Sequence, residues 1–166
     1  LFFGTQVLDE ALPAAASPGA IQTSPGDPIS IGTGWQITPL TGWEASAHDS
    51  GSGIRLEKGV VVVDLSVESF DSAGDLAAAY RDQVLKADAT QLTVTDIETA
   101  TAAGGSAARF AYQGIFPESD GSIEGEVTAV VAGRSGVVAD AWALQGDLGG
   151  SLAEVHQMLD TIETAP

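Results

Sequence analysis

The chain has 166 residues, of which 44% are hydrophobic and 17% charged, enough apolar mass for the core of one globular domain and too apolar for a disordered chain. Its 23 Asp and Glu against 6 Lys and Arg give a net charge of -17, which repels phosphate backbones and anionic headgroups and so argues against nucleic acid and against charge-driven membrane adsorption. With no cysteine, structural disulfides, thiol catalysis and Cys-ligated metal are excluded.

Residues 1–12 carry a weak helical pattern, with Phe3, Val7, Leu8 and Leu12 roughly on one side. The apolar opening Leu1-Phe2-Phe3-Gly4 reads as the tail of a membrane anchor or signal segment, although no stretch approaches the roughly 20 apolar residues that span a bilayer. Prolines at 13, 18, 25 and 28, with Ala, Ser and Gly between them, read as an extended tether. The expected division is therefore a membrane-proximal segment and linker over 1–28 and one folded domain over 29–166.

From Ile29 the apolar period becomes two. Short strands are expected over 29–37, 42–46 and 54–57, with turns at Pro39 to Gly42 and Asp49 to Gly53. The Lys58-Gly59 turn leads into the strongest strand, 60–68. There Val61, Val63, Leu65 and Val67 fall on one face and Asp64, Ser66 and Glu68 on the other. Ser72 followed by Asp75 reads as a helix N-cap. The helix runs to about Ala87, with Leu76, Tyr80 and Val84 as its apolar stripe and Leu85 beside it. Strands follow over 92–97, 108–113, 122–131 and 137–144, the second and third joined by an Asp120-Gly121 hairpin. Ser151 is expected to cap a last helix that buries Leu152, Val155, Leu159 and Ile162. The pattern predicts an α+β fold of order ββββαββββα: a meandering antiparallel sheet of six to eight strands packed with two main helices.

This layout resembles the PsbP-like fold family, which includes photosystem accessory proteins, a eukaryotic Ran-binding protein and bacterial envelope lipoproteins. Three features carry the resemblance over residues 29–164. The first is the opening Gly34-Trp35-Gln36-Ile37-Thr38-Pro39-Leu40-Thr41-Gly42-Trp43. The second is a Val-rich strand followed by one helix with Tyr80 on its inner face. The third is Ala107-Ala108-Arg109-Phe110-Ala111-Tyr112 after a Gly-rich turn, then an Asp-Gly hairpin and a closing amphipathic helix. The resemblance implies no shared enzyme activity; it implies an accessory binder of a larger assembly. Without the acylated cysteine of a lipoprotein, it implies a transmembrane tether. Some photosynthetic members bind divalent metals, but no matching ligand set is present to carry that over.

The search for chemistry is short. The two histidines, His48 at a turn and His156 on the last helix, have no Gly-x-Ser-x-Gly partner, and Ser50, His48 and Asp49 are too close in sequence to orient as a triad. Glu124 and Glu126 share one strand face, pointing at solvent or a helix. With Glu118 and Asp120 they surround one hairpin, but the spacing of a calcium loop is missing. Binding candidates are Trp35, Trp43 and Trp142, with Arg55 and Arg109 as rare positive charges on strands. Small Ala141 and Ala143, alternating with Trp142, either admit a close helix or line a groove.

The expectation is a non-catalytic, extracytoplasmic accessory or binding domain with no cofactor and no metal. It belongs to the cell envelope and is tethered to a membrane only by an N-terminal anchor. Its partner is an envelope protein or, alternatively, an apolar ligand such as an envelope lipid.

Overall fold

The computed structural model describes residues 20–24, 26–48 and 52–166. The helical pattern over 1–12, the Pro13–Gly19 tether and the turn at Asp49–Gly51 lie outside the described residues. Strands β1 (Ala20–Ile21), β2 (Ile29–Gly32), β3 (Trp35–Ile37), β4 (Glu44–Ala47), β5 (Gly53–Lys58) and β6 (Val61–Glu68) precede the first helix. That helix, α1 (Ala73–Tyr80), continues through a π-helical turn (Arg81–Leu85) into a last turn (Lys86–Asp88). Then come β7 (Gln91–Val94), β8 (Glu98–Ala102), β9 (Gly105–Ile115), β10 (Ser122–Ala132), β11 (Ser135–Leu144), helix α2 (Leu152–Leu159) and β12 (Glu163–Thr164).

Among the described residues, nine strands make one antiparallel sheet in the order β1-β4-β5-β6-β11-β10-β9-β7, with β8 pairing the remainder of β9. The expected α+β class, antiparallel sheet and two helices are all present. One difference concerns the opening hairpin. β2 and β3 leave the meander and form a separate three-stranded sheet with β12. Ala20–Ile21 pairs with β4 inside the stretch that composition reads as linker.

Alternation along the strands gives the large sheet two apolar faces. On the α2 face, Leu56, Val61, Val63, Leu65, Val137, Ala139, Ala141 and Ala143 pack with Trp35 and Ile37 of the small sheet and Val155, Met158, Leu159 and Ile162 near the C-terminus. Ala141 and Ala143 are fully buried there, so their small size admits a close helix. On the α1 face, Phe110, Tyr112, Ile123, Val127, Ala129 and Val138 pack with Leu76, Ala77 and Leu85. Each fully buried Val, Leu, Ile, Phe or Met among them contributes about 1.5–3 kcal/mol, the alanines less.

Local sequence explains most boundaries. Ser72 Oγ accepts the Asp75 N–H at 3.0 Å and starts α1 as expected. Gly59 turns β5 into β6 at φ +60, a conformation that favours glycine. Three expectations need correction. Val84 is 38% exposed whereas Leu85 is 3%. The cause is the π-helical turn: the Lys86 N–H donates to the Arg81 carbonyl, an i→i−5 bond that adds a residue and rotates the stripe by one position. Ser151 makes no side-chain cap; a 3-10 turn, Gly149–Ser151, leads the chain into α2 instead. The strand β8 lies between the expected strands over 92–97 and 108–113, where none is expected. Its Thr and Ala residues give no apolar alternation, and it forms because the long β9 offers backbone partners.

Candidate functional site

The α1 face holds a polar network built by alternation. On β11, Asp140 and Trp142 project to the same side as Asp64 of β6, whose backbone partner is Asp140 itself. Tyr80 from α1 and Tyr112 from β9 both donate to Asp140, at 2.7 and 2.8 Å. Gly125, opposite Tyr112 in β10, makes room for the ring, since a Cβ there would lie 2.2 Å from it. Burial is the main cause that pushes the Asp140 carboxyl up to about 7; the two tyrosine bonds pull it down and the charge of Asp64 adds to the rise. Burial, then Asp140, also pushes both phenols far above the usual tyrosine range. Asp140 is 5% exposed, so the network locks α1 to the sheet and leaves little of the carboxylate for a ligand.

Beside it lies a more open ledge. Arg55 pairs with Asp64 in two parallel bonds, at 2.7 and 3.1 Å. Its guanidinium carbon lies 5.9 Å from the Trp142 ring centre, and Trp142 Nε1 donates to Asp64 at 3.0 Å. His48 Nε2 approaches Asp64 at 3.7 Å.

On the α2 face, Arg109 lies 3.3 Å from Glu126 and donates to Thr128 at 3.1 Å. His156 Nε2 hydrogen-bonds the same Glu126. Glu124 accepts the Leu148 N–H at 2.9 Å. Both carboxylates thus meet the segment carrying α2, and Glu118 and Asp120 stay exposed on the hairpin loop. Among the described residues no group of three or more His, Cys, Asp or Glu could hold a metal ion.

The five binding candidates therefore separate. Arg55 and Trp142 meet on the ledge. Trp35 is 1% exposed and donates to Ser135 Oγ at 2.9 Å. Trp43 is equally buried against the α2 side and donates to Glu154 at 3.0 Å, while Lys58 holds that carboxylate at 2.7 Å. Lys58 first, then Trp43, keeps the Glu154 carboxyl below its usual range. Arg109 sits on the opposite face of the sheet from Arg55. Sequence reading did not single out Asp140, and it used Tyr112 only as part of the family resemblance. The signal for Asp140 was available: it is a lone acid in the run Val137-Val138-Ala139-Asp140-Ala141-Trp142.

The charge pattern is the most general feature. All six basic side chains are in ion pairs: Arg55 with Asp64, Lys58 with Glu154, Arg81 and Lys86 with Asp82, Arg109 with Glu126, and Arg134 with Asp71. Arg81, then Lys86, holds the Asp82 carboxyl well below the usual range. Five acids take up every cation of a chain whose net charge is -17.

No family profile matches the sequence, and no curated protein does. Solved structures do. Cyanobacterial PsbP (CyanoP) from Synechocystis sp. PCC 6803 superposes with a TM-score of 0.57 at 9% identity, over 80% of this chain and 87% of that one. The fold is PsbP-like. A Bacteroides thetaiotaomicron VPI-5482 protein matches at TM-score 0.58 and 15% identity, over 86% of this chain and 50% of that one. LpqN, involved in cell envelope biogenesis of Mycobacterium tuberculosis, matches at 0.47 and 15%, over 89% and 90%. The PsbP-like fold accounts for the arrangement of sheet and helices, and the resemblance read from Trp35, Trp43, Tyr80 and Tyr112 holds at the level of that fold. Among the described residues no helix is long and apolar enough to cross a membrane.

Proposed function

We propose that this chain is a non-catalytic accessory domain that works outside the cytoplasmic membrane, in the cell envelope, by docking a basic partner protein. The observation that carries the reading is the charge pattern. Every Lys and Arg is already engaged by an acid of the same chain, so the surplus negative charge is left to attract a basic partner surface without competition from cations of its own. Such a surface steers association with a basic face and repels nucleic acid and anionic lipid.

Two further observations support it. The polar clusters that chemistry would need are engaged in structure: Asp140 is closed between two tyrosines, and Glu126 between Arg109 and His156. The PsbP-like fold, read in the sequence as a fold of accessory binders, also favours docking over turnover. For the apolar-ligand alternative, both faces of the sheet are filled by side chains, and the depression noted below is open rather than enclosed.

The test is affinity capture from the detergent-solubilised envelope of the source organism on the immobilised domain. A basic protein should be retained in low salt and released as salt rises. Recovery of a lipid by mass spectrometry, with no protein released by salt, would replace this reading with the carrier one.

A further inference from the structure

The end of α1 and the β9–β10 loop border a shallow depression. It measures about 480 Å3, is open to solvent, and is lined by Ala87, Asp88, Phe116, Pro117 and Glu118. Both walls are fixed. The Thr90 N–H donates to the Ile115 carbonyl at 2.8 Å and ties the residues after α1 to the end of β9. In the loop, the Ser119 N–H donates to the Phe116 carbonyl at 3.1 Å, and Ser119 Oγ donates to the Gly121 carbonyl at 2.7 Å. The Phe116 ring leans edge-on against Tyr112, 6.3 Å between centres. The notch is therefore organised before anything enters it.

Its chemistry is one-sided. Ala87, Phe116 and Pro117 contribute apolar lining. Asp88 and Glu118 also line it and are exposed, and among the described residues neither has an ion-pair partner. The last carbonyls of α1 add the negative end of the helix dipole. Lys86, the one cation in that last turn, reaches back to Asp82 at 2.9 Å and does not neutralise it.

We propose that this notch receives an arginine or lysine side chain of the basic partner protein. The aliphatic stem packs on Phe116 and Pro117 while the cation sits between Asp88 and Glu118. The proposal rests on the basic-partner reading above and names the place where that partner anchors.

The probe is the peptide acetyl-Gly-Arg-Gly-Arg-amide, with its uncharged citrulline analogue as control. Both are titrated at low salt into the 15N-labelled full chain and followed by amide chemical shifts. The arginine peptide should shift the signals of Ala87, Asp88, Phe116, Glu118 and Ser119 saturably, and the citrulline peptide should not. The Asp88→Asn/Glu118→Gln pair should weaken binding about fivefold, the loss expected of two exposed charge contacts. The Glu68→Gln/Glu98→Gln pair removes the same charge. Glu68 lies at the end of the sheet opposite the loop, across from Gly136, and Glu98 lies across from Arg109 in the middle of β9; this pair should change binding less than about twofold. If both pairs weaken the peptide equally, or the shifts spread over the whole surface, the notch is overturned while docking by charge stands. If the peptide produces no saturable shift, the notch is overturned as well, and capture from the envelope decides the wider reading separately.

Discussion

Asp140→Asn tests the buried network through its pH dependence. The folded-state carboxyl titrates near 7 and the unfolded one near 3.8. Below both values the carboxyl is protonated in either state and contributes nothing. Between them the unfolded chain releases a proton that the folded chain retains. Each pH unit then costs the fold about 1.4 kcal/mol, and the loss levels off above pH 7 at about 4 kcal/mol. The sign is opposite to that of a salt-bridged aspartate: this group is neutral toward the fold in acid and opposes it as pH rises. Asparagine cannot titrate, yet its amide can accept from one tyrosine and donate to the other. Wild-type stability also changes with pH because many other carboxylates ionise, so the informative quantity is the difference between the two proteins. Urea unfolding at pH 5 and pH 8 should show Asp140→Asn gaining about 2–3 kcal/mol on the wild type over that interval. A difference that stays constant between the two pH values would refute the argument, because it would mean that Asp140 is ionised in the fold at both.

Gly125→Ala would place a Cβ 2.2 Å from the Tyr112 ring, which is buried and bonded to Asp140. It should lower stability by about 1–3 kcal/mol in urea unfolding. A change within 0.5 kcal/mol, the range of about neutral surface substitutions, would mean that the ring moves freely. The π-helical turn gives opposite expectations for neighbours: Leu85→Ala should cost about 2–5 kcal/mol, whereas Val84→Lys should stay within about 0.5. Equal costs would restore the regular helical stripe read from the sequence.

The sequence showed its fold most clearly where alternation was strict. Val61, Val63, Leu65 and Val67 declared a strand, and Ser72 declared the helix start. What it concealed has physical causes. A π-helical turn adds one residue without any residue type that marks it, so Tyr80 and Leu85 share a side of α1 that a regular period assigns to Tyr80 and Val84. β8 is polar and small, so its strand character comes from its long neighbour. Trp35 and Trp43 looked available for binding because a tryptophan side chain carries a polar handle, and here those handles find Ser135 and Glu154. Arg55 and Trp142 were placed together only by the register of β5, β6 and β11, which pattern alone does not fix across a crossover. Asp140 was legible as a lone acid among apolar residues, but the two tyrosines that close over it come from distant elements.

The measurement that bears most directly on docking by charge is the affinity of the captured partner as a function of sodium chloride concentration, by titration calorimetry. If the acid-rich exterior carries the contact, the association constant should fall by about tenfold or more between 50 and 300 mM as the charges are screened. An association constant that does not change over that range would contradict the account.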